Sequence, residues 1–420
     1  MTTKVARLAS LNEFDLNIDR VYQPRSKQAV FNYTDGLSSE KYLFDVLSNA
    51  KDLSSSSPEL EAKVVDWPSE YHLSSTRANL LRSLDLSDVN RILELGCGCG
   101  SITRYLGEQE HIQVDAVEGS PSRAALARLR CKDQQNVEIS SANFNEIDIP
   151  IGEYDLVLFV GVTEYAGRFA EGLDDVVALQ RLLALAKSAC NDKGVVLVAI
   201  ENRLGMKYAL GASEDHYASR YVGLDNYPNS EGIRTYSKLE WIEQIEKADF
   251  SQYRLMLPFP DYKIPTLVTG ESIDAASFRK LAARLSSRDY VNAFSVGDSL
   301  GKNEVRVWDA LAQAGTIADH SNSFLWLMAN DHAAIAKLLT SDVSSFEAPE
   351  FDYQLGKVNQ PQIQDLETSA DEMLIEHLNA QIVQLQSHSK NLEDKVDIMS
   401  NSVGWRLLNG LRRILRKNTL

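Results

Sequence analysis

Ile92-Leu93-Glu94-Leu95-Gly96-Cys97-Gly98-Cys99-Gly100 is the stretch that decides the fold. Four residues that read as a buried strand run into a turn with glycine at alternate positions. Glycine lacks the Cβ that would keep a ligand off the backbone. A helix beginning near Ser101 then turns its N-terminus, with its unsatisfied N–H groups, toward whatever occupies the turn. Glu118 and Gly119 close the next apolar run, VDAVEG. In dinucleotide-type folds an acid at that position accepts hydrogen bonds from ribose hydroxyls. A nicotinamide fingerprint would need its third glycine at position 101, where this chain has Ser101; the pattern is GxGxG instead.

Outward from this turn, apolar runs of about five residues alternate with helical stretches. RILELG precedes SITRYLG, VDAVEG precedes SRAALARLR, and NVEIS and YDLVLFVG precede DDVVALQRLLALAKSA; GVVLVAI follows. Strand and helix in alternation mean a parallel sheet with crossover helices. The strands are apolar throughout, as expected when both faces are covered. A helix is expected over 238–248, further helices within 272–318, and a late strand in SNSFLWLMA. Before the sheet, 40–50 reads as a helix, and Ser74 or Ser75 is placed to cap another over 76–84.

With Asn143-Phe144 after the third strand and Phe159-Val160-Gly161 closing the fourth, the sequence resembles class I S-adenosylmethionine-dependent methyltransferases over about residues 86–270. The resemblance implies an α/β fold: a Rossmann-like seven-stranded sheet with a helical N-terminal cap (1–85) and a helical insertion (about 272–318) within a domain of 86–330. It implies that Gly96, Gly98 and Gly100 line the methionine and ribose part of S-adenosylmethionine, and that Glu118 beside Gly119 holds the ribose hydroxyls. Asn143 and Phe144 would sit by the adenine, Gly161 and Val162 would face the transferred methyl, and Glu94 would have a structural or amino-group role. LELGCGCGSITRYLGE, NFNEID, GVTEYAG, IENRLGMKYALGASEDH, PFPDYKIPT and SVGWRLLNGLRRILR are similar to segments of methyltransferases of bacterial surface-polysaccharide (O-antigen) assembly. That similarity implies O-methylation of a sugar hydroxyl, or a terminal phosphate, on a saccharide or lipid-linked glycan. The alternative is a non-catalytic scaffold of the same fold that recruits glycosyltransferases.

Methyl transfer is an in-line displacement, so the enzyme supplies alignment, and a base when the nucleophile is a hydroxyl. Acceptor groups are expected on the loops after the fourth and fifth strands. Those loops carry Glu164-Tyr165 and Glu201-Asn202-Arg203, and the segment beyond adds Asp215-His216 and Arg220. His216, with Asp215 beside it, is the candidate general base, since an imidazole titrates near neutrality. Arg203 or Arg220 could grip an acidic sugar or phosphate bidentately. Cys97 and Cys99 form C-x-C inside a crowded turn, and small size explains them better than zinc ligation, so no metal is expected.

The 420 residues carry a net charge of −16 that is unevenly spread. Residues 398–420 hold Arg406, Arg412, Arg413, Arg416 and Lys417 and no acid. That tail is +5 and the remainder −21. An acidic body argues against general nucleic-acid binding, which needs a basic footprint. The chain opens without an apolar signal segment, and four cysteines suit a reducing cytoplasm. Residues 331–370 read as a linker. Beyond it Ile375, Leu378, Ile382, Leu385, Leu392, Val396, Met399 and Val403 keep a heptad spacing. Ile or Val at a and Leu or Met at d favour a parallel two-stranded coiled coil over 371–403, and so a homodimer. Over 404–420, Trp405, Leu408, Leu411 and Leu415 share one helix face with arginines around the rest. That pattern suits a helix lying on an anionic membrane surface, the inner face of the cytoplasmic membrane.

Overall fold

The computed structural model describes residues 8–11, 13–25, 34, 36–170, 172–228, 230–282, 304–339 and 341–346. The coiled coil expected at 371–403, the basic helix at 404–420 and the linker from 347 lie outside the described residues.

Among the described residues, eleven strands form one sheet. In chain order they are β1 (Phe14–Leu16), β2 (Tyr22–Pro24), β3 (Arg91–Leu95), β4 (Gln113–Glu118), β5 (Val137–Ser141), β6 (Tyr154–Val160), β7 (Cys190–Glu201), β8 (Gln252–Phe259), β9 (Leu267–Gly270), β10 (Ser323–Ala329) and β11 (Val343–Ser345). Their spatial order is β1-β2-β5-β4-β3-β6-β7-β10-β8-β9-β11. From β5 to β7 every neighbouring pair is parallel. β10 runs antiparallel to both β7 and β8.

The expected seven strands are corrected to eleven. The seven from β5 to β8 in that order are the parallel strands of the sequence reading with the late strand β10 and its partner β8. At one edge β1 and β2 add an antiparallel pair, and at the other β9 and β11 do the same. Three of these four strands have only three residues, too short to show a period-two pattern. Two corrections follow. Residues 1–85 are not purely helical, since they hold β1 and β2. Residues 331–346 are not linker, since helix His332–Leu338 and β11 are packed into the fold.

Side chains alternate between the two faces of the sheet. Leu93, Leu95, Val157, Phe159, Val196 and Val198 feed one core, and Ile92, Leu156, Leu158, Leu197 and Ala199 feed the other. Crossover helices Ser101–Gly107, Pro121–Arg130 and Asp175–Ala189 cover these faces. The expected N-terminal helix is observed at Leu37–Asn49. Ser74 accepts the Thr76 N–H and opens a 3-10 turn, Ser75–Ala78, that continues as helix Asn79–Arg82. Helix Lys238–Lys247 starts with a reciprocal Ser237–Glu240 cap. In the insertion, helices Ala275–Ala282 and Glu304–Gln313 set Phe278 and Trp308 against Phe259, with ring centroids 5.1 and 5.3 Å apart. Among the described residues, no helix is long and apolar enough to cross a membrane.

Candidate functional site

A cavity of about 280 Å³ opens at the carboxyl ends of β3 to β7. At one end it is walled by the glycine turn. Gly96, Gly98 and Gly100 have φ of +84°, +56° and +81°, a region L side chains avoid. The turn is also crowded. A Cβ on Gly96 would stand 2.3 Å from Val162 Cγ2, and one on Gly100 would stand 2.7 Å from the Ala127 backbone. Gly98 faces only the movable end of Arg123, at 2.9 Å. Gly100 is the N-cap of helix Ser101–Gly107 and does not line the cavity. Its glycine is required by the close packing against Ala127.

Glu118 ties this turn to β4. Its two oxygens accept the N–H groups of Gly98 (2.7 Å) and Ser120 (2.9 Å), and each keeps a lone pair for a further donor. Glu94 is buried and accepts the Thr103 hydroxyl at 2.7 Å. Burial lifts its pKa to about 7, against the opposing pull of Thr103 and Arg77. Burial likewise pushes the Cys97 thiol well up, so it stays neutral. Gly119, Asn143, Phe144, Gly161 and Val162 complete this wall. Asn143 also shapes its own loop, donating to Glu146 at 2.7 Å and accepting the Asn145 N–H at 3.0 Å.

The opposite end is lined by Glu164, Tyr165, Phe169, Glu201, Asp215, His216, Tyr262 and Lys263. His216 Nδ1 lies 2.9 Å from Glu214 Oε1, and Nε2 lies 3.6 Å from Glu164 Oε1. Burial would drive this imidazole toward its neutral form. The carboxylates of Glu164 and Glu214, the latter hydrogen-bonded to Nδ1, with Glu201 nearby, outweigh burial and hold its pKa well above the usual histidine value. The imidazole expected as a general base is thus held between two carboxylates, those of Glu214 and Glu164. Asp215 does not orient it; Glu214 does. Asp215 instead bridges Lys207 (2.9 Å) and Lys263 (3.0 Å) and accepts from Tyr208. Burial alone would raise the Asp215 pKa, but the two lysines hold it well below the carboxylate range. Glu201 accepts from Lys263 and from Tyr262 at 3.3 Å. Tyr165 stacks on Phe169 and meets His216 edge-on.

Three expected acceptor residues do not reach the cavity. Asn202 is fully buried and donates to the carbonyls of Asp319 and Ser321, pinning the end of β7. Arg203 pairs with Glu240 at 2.6 Å. Arg220 is exposed on a loop bridged to Ser213. Conversely, Trp67, Tyr71, His72, Arg77, Arg123, Tyr262 and Lys263 line the cavity without having been singled out for it. Tyr262 and Lys263 had a signal, a lysine inside the apolar, proline-rich PFPDYKIP. Arg77 had none: its guanidinium donates to the carbonyls of Tyr262 (3.2 Å) and Lys263 (2.8 Å), far away in sequence.

Residues 93–186 match the family described as a methyltransferase domain. That span holds the glycine turn, Glu118, Asn143, Phe144, Gly161 and Glu164, and it is a domain of the S-adenosylmethionine-dependent type. No curated protein matches the chain. Among solved structures, similar ones include phosphoethanolamine N-methyltransferase 2 of Haemonchus contortus with S-adenosylhomocysteine. It is 14% identical, with 65% of this chain and 52% of that chain covered and a TM-score of 0.35. Geranyl diphosphate methyltransferase with S-adenosylmethionine is 14% identical, covering 68% of this chain and 93% of that one, at a TM-score of 0.34. Mitomycin 7-O-methyltransferase MmcR is 19% identical, covering 43% and 49%, at 0.32. This chain thus spans about half the length of the first and third. Likeness at this level says nothing about the acceptor.

Proposed function

We propose that this chain, which carries an S-adenosylmethionine-dependent methyltransferase domain, methylates a sugar hydroxyl, or a terminal phosphate, of a surface polysaccharide or its lipid-linked precursor. The cofactor supplies an electrophilic methyl on a positively charged sulfur. The glycine-turn end fits it chemically: Glu118 offers acceptors for hydroxyls, the buried Glu94 carboxyl offers a partner for an amino group, and Phe144 and Val162 offer apolar surface. The observation that carries the acceptor reading is the other end. Carboxylates of Glu164, Glu201 and Asp215 line the same cavity as the stacked rings of Tyr165 and Phe169. Carboxylates accept hydroxyl donors and aromatic rings pack against sugar faces. Lys263 adds a cation suited to a phosphate or acidic sugar.

Incubation with labelled S-adenosylmethionine and lipid-linked saccharide extracts, then mass spectrometry of labelled products, tests this. A labelled saccharide is the expected product; label confined to protein or small amines would overturn the reading. The proposal extends to a homodimer through 371–403, glycosyltransferases as neighbours, and attachment to an anionic membrane through 404–420. Liposome flotation with and without 404–420 tests the attachment, which equal flotation of both forms would remove.

A further inference from the structure

We propose that Glu164, Glu201 and His216 form a binding site for one divalent transition-metal ion. Each offers a ligand atom, and these atoms lie within 4.8 Å of one another. Three elements supply them: the turn after β6, the last residue of β7, and the loop beyond helix Met206–Ala209. All three side chains wall the same cavity.

Two further observations point to a cation. Glu164 Oε2 and Glu201 Oε2 are both buried and have no hydrogen-bond partner, on side chains only 2% and 1% exposed. Buried charges in proteins are paired or coordinate metals. Lys263 answers Glu201 through Oε1 and leaves Oε2 without a hydrogen-bond donor. The second observation is the support behind His216. Glu214 accepts at His216 Nδ1 and is itself fixed by the N–H groups of His216 (2.7 Å) and Tyr217 (2.9 Å) and by the Tyr227 hydroxyl (3.1 Å). A carboxylate holding one imidazole nitrogen so that the other faces an ion is the usual outer shell of a metal-bound histidine.

The spacing agrees. Metal–ligand bonds of ~2.0–2.2 Å put two ligands of a tetrahedral ion about 3.4 Å apart. His216 Nε2 and Glu164 Oε1 are 3.6 Å apart, long for a hydrogen bond. One imidazole with two carboxylates suits Mn²⁺ or Zn²⁺. A metal ion is bound by the neutral imidazole, so Nε2 would have to be free of a proton in the loaded site. Lowering the pKa of an acceptor hydroxyl would be the ion's role under the sugar reading above; the site itself does not depend on that reading.

Mn²⁺ titrated into the EDTA-stripped full-length chain, followed by electron paramagnetic resonance of the free ion with no acceptor present, tests the site. One ion per chain is expected, with affinity falling about 100-fold in Glu164→Gln and Glu201→Gln. Glu214→Gln, which leaves all three ligands in place, should lose about 10–100-fold. Circular dichroism and S-adenosylmethionine binding check that each variant is folded. A folded wild type that binds no Mn²⁺ at millimolar concentration would overturn the proposal, as would unchanged affinity in a folded Glu201→Gln. No methyl transfer is read, so failure of the saccharide assay leaves this result standing, and the reverse holds too.

Discussion

Gly96, Gly98 and the Cys97 backbone wall one end of the cavity, whereas Glu164, Glu201, Asp215, His216 and Lys263 wall the other with charge. The glycine-turn end is held by hydrogen bonds between neighbours in the sheet: Gly96 and Cys97 both donate to the Val117 carbonyl, and Gly98 to Glu118. The charged end is held by side chains that meet across long loops, such as Lys207 with Asp261 at 2.9 Å and Lys263 with Asp215 at 3.0 Å. Backbone geometry answers first to added size, as at Gly96, where a Cβ would meet Val162. A charge network accepts changes of size but answers to every change of charge.

The sharpest way to break this contrast is steric. Gly96→Ala combines a forbidden φ with a Cβ 2.3 Å from Val162. We expect a loss of about 3–5 kcal/mol in urea denaturation, from backbone strain plus overpacking. Gly98→Ala meets only a movable guanidinium and should lose about 1 kcal/mol. Equal losses in the two would show that crowding against Val162 is not what requires Gly96.

The glycine-turn end also holds a carboxyl with a raised pKa, Glu94. Its pKa is about 7 in the folded chain against an ordinary 4.5. Over that interval the folded state keeps a proton that the unfolded chain has lost. The stability is fully present below about pH 4.5 and is lost as pH rises through about 7, a change of about 3 kcal/mol. Glu94→Gln should flatten this fall in denaturation curves taken across that range. A wild type whose stability does not decline over it would contradict the assignment.

Glu118→Gln is next in size. An amide NH₂ would face the N–H of either Gly98 or Ser120, so S-adenosylmethionine affinity by calorimetry should drop about 10–100-fold, the value of a charged hydrogen bond. The smallest effect lies at the charged end. Tyr165→Ala removes the ring stacked on Phe169 and should raise the acceptor KM by up to about tenfold, with S-adenosylmethionine affinity unchanged. A matching loss of cofactor affinity would mean the two ends are not separable.

The same contrast explains what could be read from sequence. The strand, turn and helix around Gly96–Gly100 span so few residues that their order dictates their geometry, and Glu118, Asn143 and Gly161 follow at the ends of neighbouring strands. Residues 203–237 lack such periodicity. There, and at Asn202 just before, the expected acceptor residues hold the fold instead: Asn202 pins the end of β7, Arg203 pairs with Glu240, and Glu214, not its neighbour Asp215, holds the imidazole. Arg77 was invisible because only tertiary contacts bring residue 77 to residue 262, whereas Lys263 stood out within PFPDYKIP.

The two edges of the sheet carry a consequence for solubility. An open sheet of eleven strands ends in exposed backbone amides that could template another chain and seed aggregates. Among the described residues both margins are three-residue strands, β1 and β11. Such short borders leave few amides in register for an incoming strand, so the terminal strands, missed in the sequence, serve as terminators that keep a large sheet from growing further.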